Sequence, residues 1–152
     1  MMKTFNEHIN KELNTIQEFT GATSDSTTLR KVMNEGYSTY DFTFLSGGTV
    51  CIAEVKTRDC NSSTYPDTVL ELFKVNNMFS NVCEFKDKHS YMDFKPVFLV
   101  KFNDGLFLID MSTVATTMSI KACPKHTASN GNNEYVNKTL VHYKLADAIK
   151  IK

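Results

Sequence analysis

At 152 residues, with 41% hydrophobic and 22% charged residues and a formal net charge of zero, the chain suits a single globular domain over 1–152 with a core of its own. No apolar run approaches the roughly 20 residues that span a bilayer, and residues 1–8 lack the apolar centre of a signal peptide. The expectation is a cytoplasmic protein with no membrane partner. The chain then divides into a core of about 5–110 and a C-terminal strand and tail over 111–152.

Residues 4–20 read as an amphipathic helix. Phe5, Ile9, Leu13, Ile16 and Phe19 share one stripe at helical spacing, and Glu12 falls inside that stripe while Glu7 and Glu18 point away. A carboxylate there costs several kcal/mol unless it is paired or metal-bound. Two readings stay open: Glu12 pairs with a lysine or snorkels past its neighbours, or it serves a site.

Residues 21–38 are polar and rich in Ser and Thr, with a short helical possibility over 28–34. Strands follow at Ser38–Phe44 and Thr49–Lys56, joined by the turn signal Ser46-Gly47-Gly48. After a polar loop over 57–64, Pro66 suits the first turn of a helix reaching Val82. Its stripe of Val69, Leu72, Phe73, Val75, Phe79 and Val82 faces the sheet, leaving Glu71 and Lys74 on the flank as surface charges. Pro96–Phe102 and Gly105–Asp110 form a hairpin around Asn103-Asp104-Gly105. A short helix is expected over Met111–Met118, a loop over Cys123–Glu134, a last strand over Tyr135–Lys144 and a tail over Leu145–Ile151. Helix, strands, helix, strands is the order of an α/β sandwich, a central mixed β-sheet flanked by helices.

The four cysteines contain no Cys-x-x-Cys pair and read as free thiols of a reducing compartment. His8, His89, His126 and His142 stand apart and read as surface histidines. Residues 1–85 carry 7 Lys/Arg against 11 Asp/Glu, and residues 86–152 carry 10 against 6. An acidic metal site in the first half and a phosphate-facing surface in the second would produce this split, and so would an ordinary solvated surface.

Chemistry concentrates at Thr49-Val50-Cys51-Ile52-Ala53-Glu54-Val55-Lys56. Side chains two apart share a strand face, so Glu54 and Lys56 stand side by side at the end of an apolar strand. Glu84-Phe85-Lys86 and Asp93-Phe94-Lys95 repeat the acid-x-Lys pattern. The first lies at the frayed end of a helix and the second before a strand, not at the end of one. Only Glu54 follows a hairpin whose other strand carries an acid, Asp41.

The segment Tyr40-Asp41-Phe42-Thr43-Phe44, a Gly-Gly turn, and Ile52-Ala53-Glu54-Val55-Lys56-Thr57-Arg58 resembles the active-site hairpin of the PD-(D/E)XK nuclease superfamily. That group takes in type II restriction enzymes, archaeal Holliday-junction resolvases and many small phage nucleases. Asp41 matches its first acid, Glu54 its second and Lys56 its lysine, while Tyr40 stands where the family pattern has Pro. The resemblance implies a restriction-endonuclease-like sandwich with a four- or five-stranded sheet. It also implies a metal-dependent nuclease that hydrolyses phosphodiester bonds of nucleic acid, with DNA expected, and leaves 5′-phosphate ends.

On that resemblance Asp41, Glu54 and the backbone carbonyl of Val55 would hold Mg²⁺ or Mn²⁺, with Glu12 as a third acid from the first helix. Lys56 would orient the attacking water, and Arg58 and Lys74 are candidate substrate contacts. Cutting both strands implies a homodimer. The apolar excess of the 96–110 hairpin would then either bury both sheet faces or supply the interface. Two rival readings remain: an inactive nuclease-fold module that binds nucleic acid or protein, and an interaction protein in which Glu54 and Lys56 form a structural ion pair.

Overall fold

The computed structural model describes residues 5–22, 26–31, 40–125 and 134–152. Helix α1 (Phe5–Ala22) precedes strands β1 (Ser26–Lys31), β2 (Phe42–Ser46) and β3 (Thr49–Thr57). Strand β4 (Asp67–Glu71) runs directly into helix α2 (Leu72–Lys88), which leads to β5 (Asp93–Phe102) and β6 (Gly105–Asp110). The chain closes with β7 (Thr116–Pro124), β8 (Tyr135–Lys144), a 3₁₀ turn over Leu145–Asp147 and β9 (Ile149–Lys150).

The strands form a six-stranded sheet, in the order β1-β2-β3-β5-β6-β9, and a three-stranded sheet, β4-β8-β7. In the larger sheet β3 and β5 run parallel and their neighbours antiparallel, so the sheet is mixed as expected. The β2–β3 hairpin turns on Gly47 and Gly48, at φ 55° and 81°. Two consecutive left-handed residues give the turn whose twist matches that of the flanking strands. It locks a register pairing Ser46 with Thr49 and Phe42 with Ala53.

The central strands are apolar on both faces because both faces are covered. On one side Cys51, Ala53 and Val55 pack with Val97, Leu99, Phe42 and Phe44 against Ile16 and Phe19 of α1. On the other, Val50, Ile52, Phe98 and Val100 meet Val75, Met78 and Val82 of α2 and Leu70, Val141 and Tyr143 of the smaller sheet. Val97, Phe98, Leu99, Val100, Leu106 and Ile109 are all fully buried. Most of the apolar excess of the β5–β6 hairpin is buried within the chain, while Phe107 and Leu108 are half-buried.

Several elements differ from expectation. Residues 67–71 are a strand, not the first turns of a helix: Thr68 and Leu70 point inward, Asp67, Val69 and Glu71 do not, and this period of two pairs with β8. The helix therefore starts at Leu72. Its buried side chains are Val75, Met78 and Val82, while Phe73 is 57% exposed and Phe79 39%. No helix occupies Met111–Met118. The Ser112 N–H and hydroxyl both donate to Asp110 Oδ1, turning the chain into β7, which begins at the β-branched pair Thr116-Thr117.

The tail is not loose. β9 extends the larger sheet along β6, giving six strands where four or five were expected. Of the 28–34 segment, residues up to Lys31 belong to β1 and the rest lie outside the described residues, as do residues 38 and 39 of the second strand and 126–133 of the expected loop.

Candidate active site

β3 carries the site because of its alternation. Val50 and Ile52 face α2. The next side chains on that face are Glu54 and Lys56, so the apolar series ends in an acid and a base. Glu54 is 1% exposed. A carboxylate buried to that degree needs compensating partners, and two ammonium groups supply them. Lys56 Nζ lies 3.1 Å and Lys74 Nζ 2.7 Å from the same oxygen, Oε1.

Asp41 arrives from the foot of β2. The register places it one residue beyond the Phe42–Ala53 pair, across from Glu54, and its own N–H donates to the Ala53 carbonyl at 2.8 Å. Its Oδ2 accepts the Val55 N–H at 2.7 Å. The carboxylate is therefore pinned to the strand that carries the other two residues. Burial, then the charges of Glu54 and Glu12, push its pKa from 3.8 to about 7, against the Val55 N–H and Lys56, which favour the anion. Two carboxylates held this close disfavour each other's ionisation unless a cation joins them.

Glu12, half-buried on α1, makes its charge felt at both Asp41 and Lys74. Lys74, expected on the helix flank and as a candidate substrate contact, donates to Glu54 Oε1 at 2.7 Å. The excursion through β4 starts α2 near the end of β3, so the first turn of the helix overhangs Glu54. Burial alone would depress its pKa, but the Glu54 charge and hydrogen bond, with Asp41 and Glu12, hold it above the ordinary lysine value. The sequence signal was weak, since the misplaced start of α2 assigned the helical face wrongly.

Arg58 sits just past β3. Its N–H donates to the Lys101 carbonyl at 2.8 Å and its guanidinium to the Val69 carbonyl at 2.6 Å. Burial lowers its pKa. At least one of its donors holds β4 in place and is not offered to a ligand.

The donor set is hard: carboxylate and carbonyl oxygens, with no sulfur or imidazole. That chemistry fits Mg²⁺ or Mn²⁺. Among the described residues, no three His, Cys, Asp or Glu side chains are grouped so as to hold an ion.

The fold is a mixed sheet flanked by helices, with the hairpin that carries Asp41 and Glu54 among its strands. Among solved structures, the chain is similar to Hjc, a Holliday junction resolvase from the archaeal hyperthermophile Archaeoglobus fulgidus, with a TM-score of 0.50 over 86% of this chain and 85% of that one, at 14% identity. No protein-family model matches the chain, and no curated protein matches it in sequence. At that identity the likeness is one of fold alone.

Proposed function

We propose that this chain is a metal-dependent nuclease that hydrolyses phosphodiester bonds of nucleic acid, with DNA as its substrate. The observation that carries the reading is the convergence on one buried carboxylate. Glu54 sits opposite Asp41 and binds two lysines through a single oxygen, an arrangement of little use to a sheet end that only has to be stable.

Asp41, Glu54 and the Val55 carbonyl would hold Mg²⁺ or Mn²⁺, with Glu12 reaching towards it. When bound, the ion acidifies a water and offsets charge on the phosphate. Lys56, only 21% exposed at its side chain, orients the attacking water and steadies the charge that builds on the non-bridging oxygens. Lys74 holds the Glu54 carboxylate in place through its hydrogen bond to Oε1. Asp41 is kept in place by the Val55 N–H, so its carboxylate does not have to be ordered when substrate arrives. Cutting both strands of a duplex or junction calls for two such sites, hence a symmetric pair of chains.

The test is cleavage of a panel of linear, flapped and branched DNA and RNA substrates with Mg²⁺, Mn²⁺ or EDTA. The reading predicts metal-dependent cutting that Glu54→Gln and Lys56→Ala both abolish. A wild-type protein that binds nucleic acid yet cuts nothing on that panel is the inactive module instead.

A further inference from the structure

The smaller sheet carries a second cluster of reactive side chains, separate from the acids of β2 and β3. Asp67 on β4, His142 on β8 and Ser119 on β7 form one continuous hydrogen-bonded line across three strands. His142 Nδ1 is 3.0 Å from Asp67 Oδ2, and His142 Nε2 is 2.6 Å from Ser119 Oγ. With the imidazole neutral and the carboxylate only accepting, Nδ1 carries the proton and donates a hydrogen bond to Asp67. That leaves Nε2 as the acceptor of the Ser119 hydroxyl proton. Nucleophile, base and orienting acid are thus in the relation that activates a serine, whatever their order in the chain.

The register explains how the three meet. His142 lies opposite Val69 on one side and Thr117 on the other. Asp67 and Ser119, each two residues along its strand, are the diagonal neighbours on the same face. That face points away from the core, which takes Thr68, Leu70, Val141 and Tyr143. His142 and Asp67 side chains keep 23% and 33% of their exposure, so the line is reachable from solvent. Lys121, two residues beyond Ser119, is exposed on the same face of the strand. In this sheet β7 pairs with β8 alone, so among the described residues the backbone groups of its other edge have no strand partner.

We infer that Ser119 is an activated nucleophile and that Ser119, His142 and Asp67 form a hydrolytic site for small carboxylic esters, independent of the nuclease centre. Ser119 Oγ bonds to the ester carbonyl carbon as its proton passes to His142 Nε2. The tetrahedral oxyanion forms on the solvent face, with Lys121 two residues along β7 as the nearest positive charge of that strand. Collapse breaks the bond to the alcohol oxygen, which leaves with the proton from Nε2, and Ser119 is acylated. A solvent water then attacks the acyl carbon and gives its proton to Nε2. The carboxylic acid departs, and Nε2 returns the proton to Ser119 Oγ. Asp67 stays ionised throughout and holds the ring.

The probe is p-nitrophenyl acetate, with p-nitrophenolate release followed by absorbance and the acetyl group mapped by mass spectrometry after acid quench. The expected result is acetylation at Ser119, absent in Ser119→Ala and slowed at least about 100-fold in His142→Gln, the usual worth of a positioned general base. Asp67→Asn should slow it too, while Ser63→Ala reacts like wild type. Circular dichroism and melting of each variant separate lost chemistry from lost folding, and if His142→Gln fails to fold, Asp67→Asn carries the comparison. No acetyl group on Ser119, or one that forms at the wild-type rate in folded His142→Gln or Asp67→Asn, overturns the site and leaves the line as a cross-strand clamp.

Discussion

Lys74 Nζ stands 2.7 Å from Glu54 Oε1, joining the first turn of α2 to the end of β3. Lys56 reaches the same oxygen at 3.1 Å, so the buried carboxylate is held from two elements at once. Replacing Lys74 by Ala leaves Glu54 with Lys56 as its strand partner. It should cost about 1 kcal/mol of stability and slow cleavage by about 10- to 100-fold, with little change in nucleic-acid affinity. Thermal melts and single-turnover rates check both. If affinity falls while the single-turnover rate holds, Lys74 is a substrate contact and does not position Glu54.

Arg58 divides structural from substrate roles in the opposite direction. Its guanidinium donates to the Val69 carbonyl at 2.6 Å, tying the start of the β4 excursion to the end of β3. Arg58→Ala should therefore destabilise by about 1.5–3 kcal/mol, the range for a charged hydrogen bond. A loss of affinity with an unchanged melting temperature would make Arg58 the ligand contact that its place beside Lys56 suggests from sequence.

The metal-free protein should lose stability as pH rises. Asp41 holds its proton to about pH 7 in the folded state, against 3.8 ordinarily. Between those values the native state binds a proton that the unfolded chain has released, so stability falls with rising pH and the loss is complete above about 7. Melts in EDTA from pH 4 to 8 should show this slope, with Asp41→Asn flattening it and gaining stability at the alkaline end. Saturating Mn²⁺ should remove the slope in wild type. A metal-free wild type and Asp41→Asn with parallel pH profiles would contradict the crowding of Asp41 by Glu54 and Glu12.

Gly48, at φ 81°, lies in the left-handed region that costs other residues roughly 1–2 kcal/mol. Gly48→Ala should lower stability by about that amount. Because the turn sets the register that puts Asp41 across from Glu54, cleavage should fall with it. A neutral effect on both would mean that the ladder alone fixes the register.

The hairpin that brings Asp41, Glu54 and Lys56 together was more legible in the sequence than the outer elements were. Asp41, Glu54 and Lys56 lie on one hairpin, where a Gly-Gly turn and a period of two fix which side chains share a face. The β5–β6 hairpin was legible for the same reason. Lys74 was not, because its position depends on where α2 begins, and residues 67–71 satisfy a strand pattern only once β8 is there to pair with them. Pro66 fits a helix start and a strand entry equally well. The smaller sheet was missed because its partners are distant: Asp67 meets His142 through a pairing that links β4 to β8, which no local pattern announces. The same distance hid the Ser119–His142–Asp67 line, since three unremarkable polar residues become one feature only when three strands are in register.

The central claim is that Asp41 and Glu54 form a cation site serving hydrolysis, and its most direct test is the melting temperature of wild type and Glu54→Ala with Mn²⁺ and with EDTA. A ligand that binds only the folded state stabilises it in proportion to the logarithm of its concentration. The wild-type melting temperature should climb with Mn²⁺, while Glu54→Ala should be folded, melt without regard to metal and cut nothing. Identical responses of the two proteins to Mn²⁺ would contradict it.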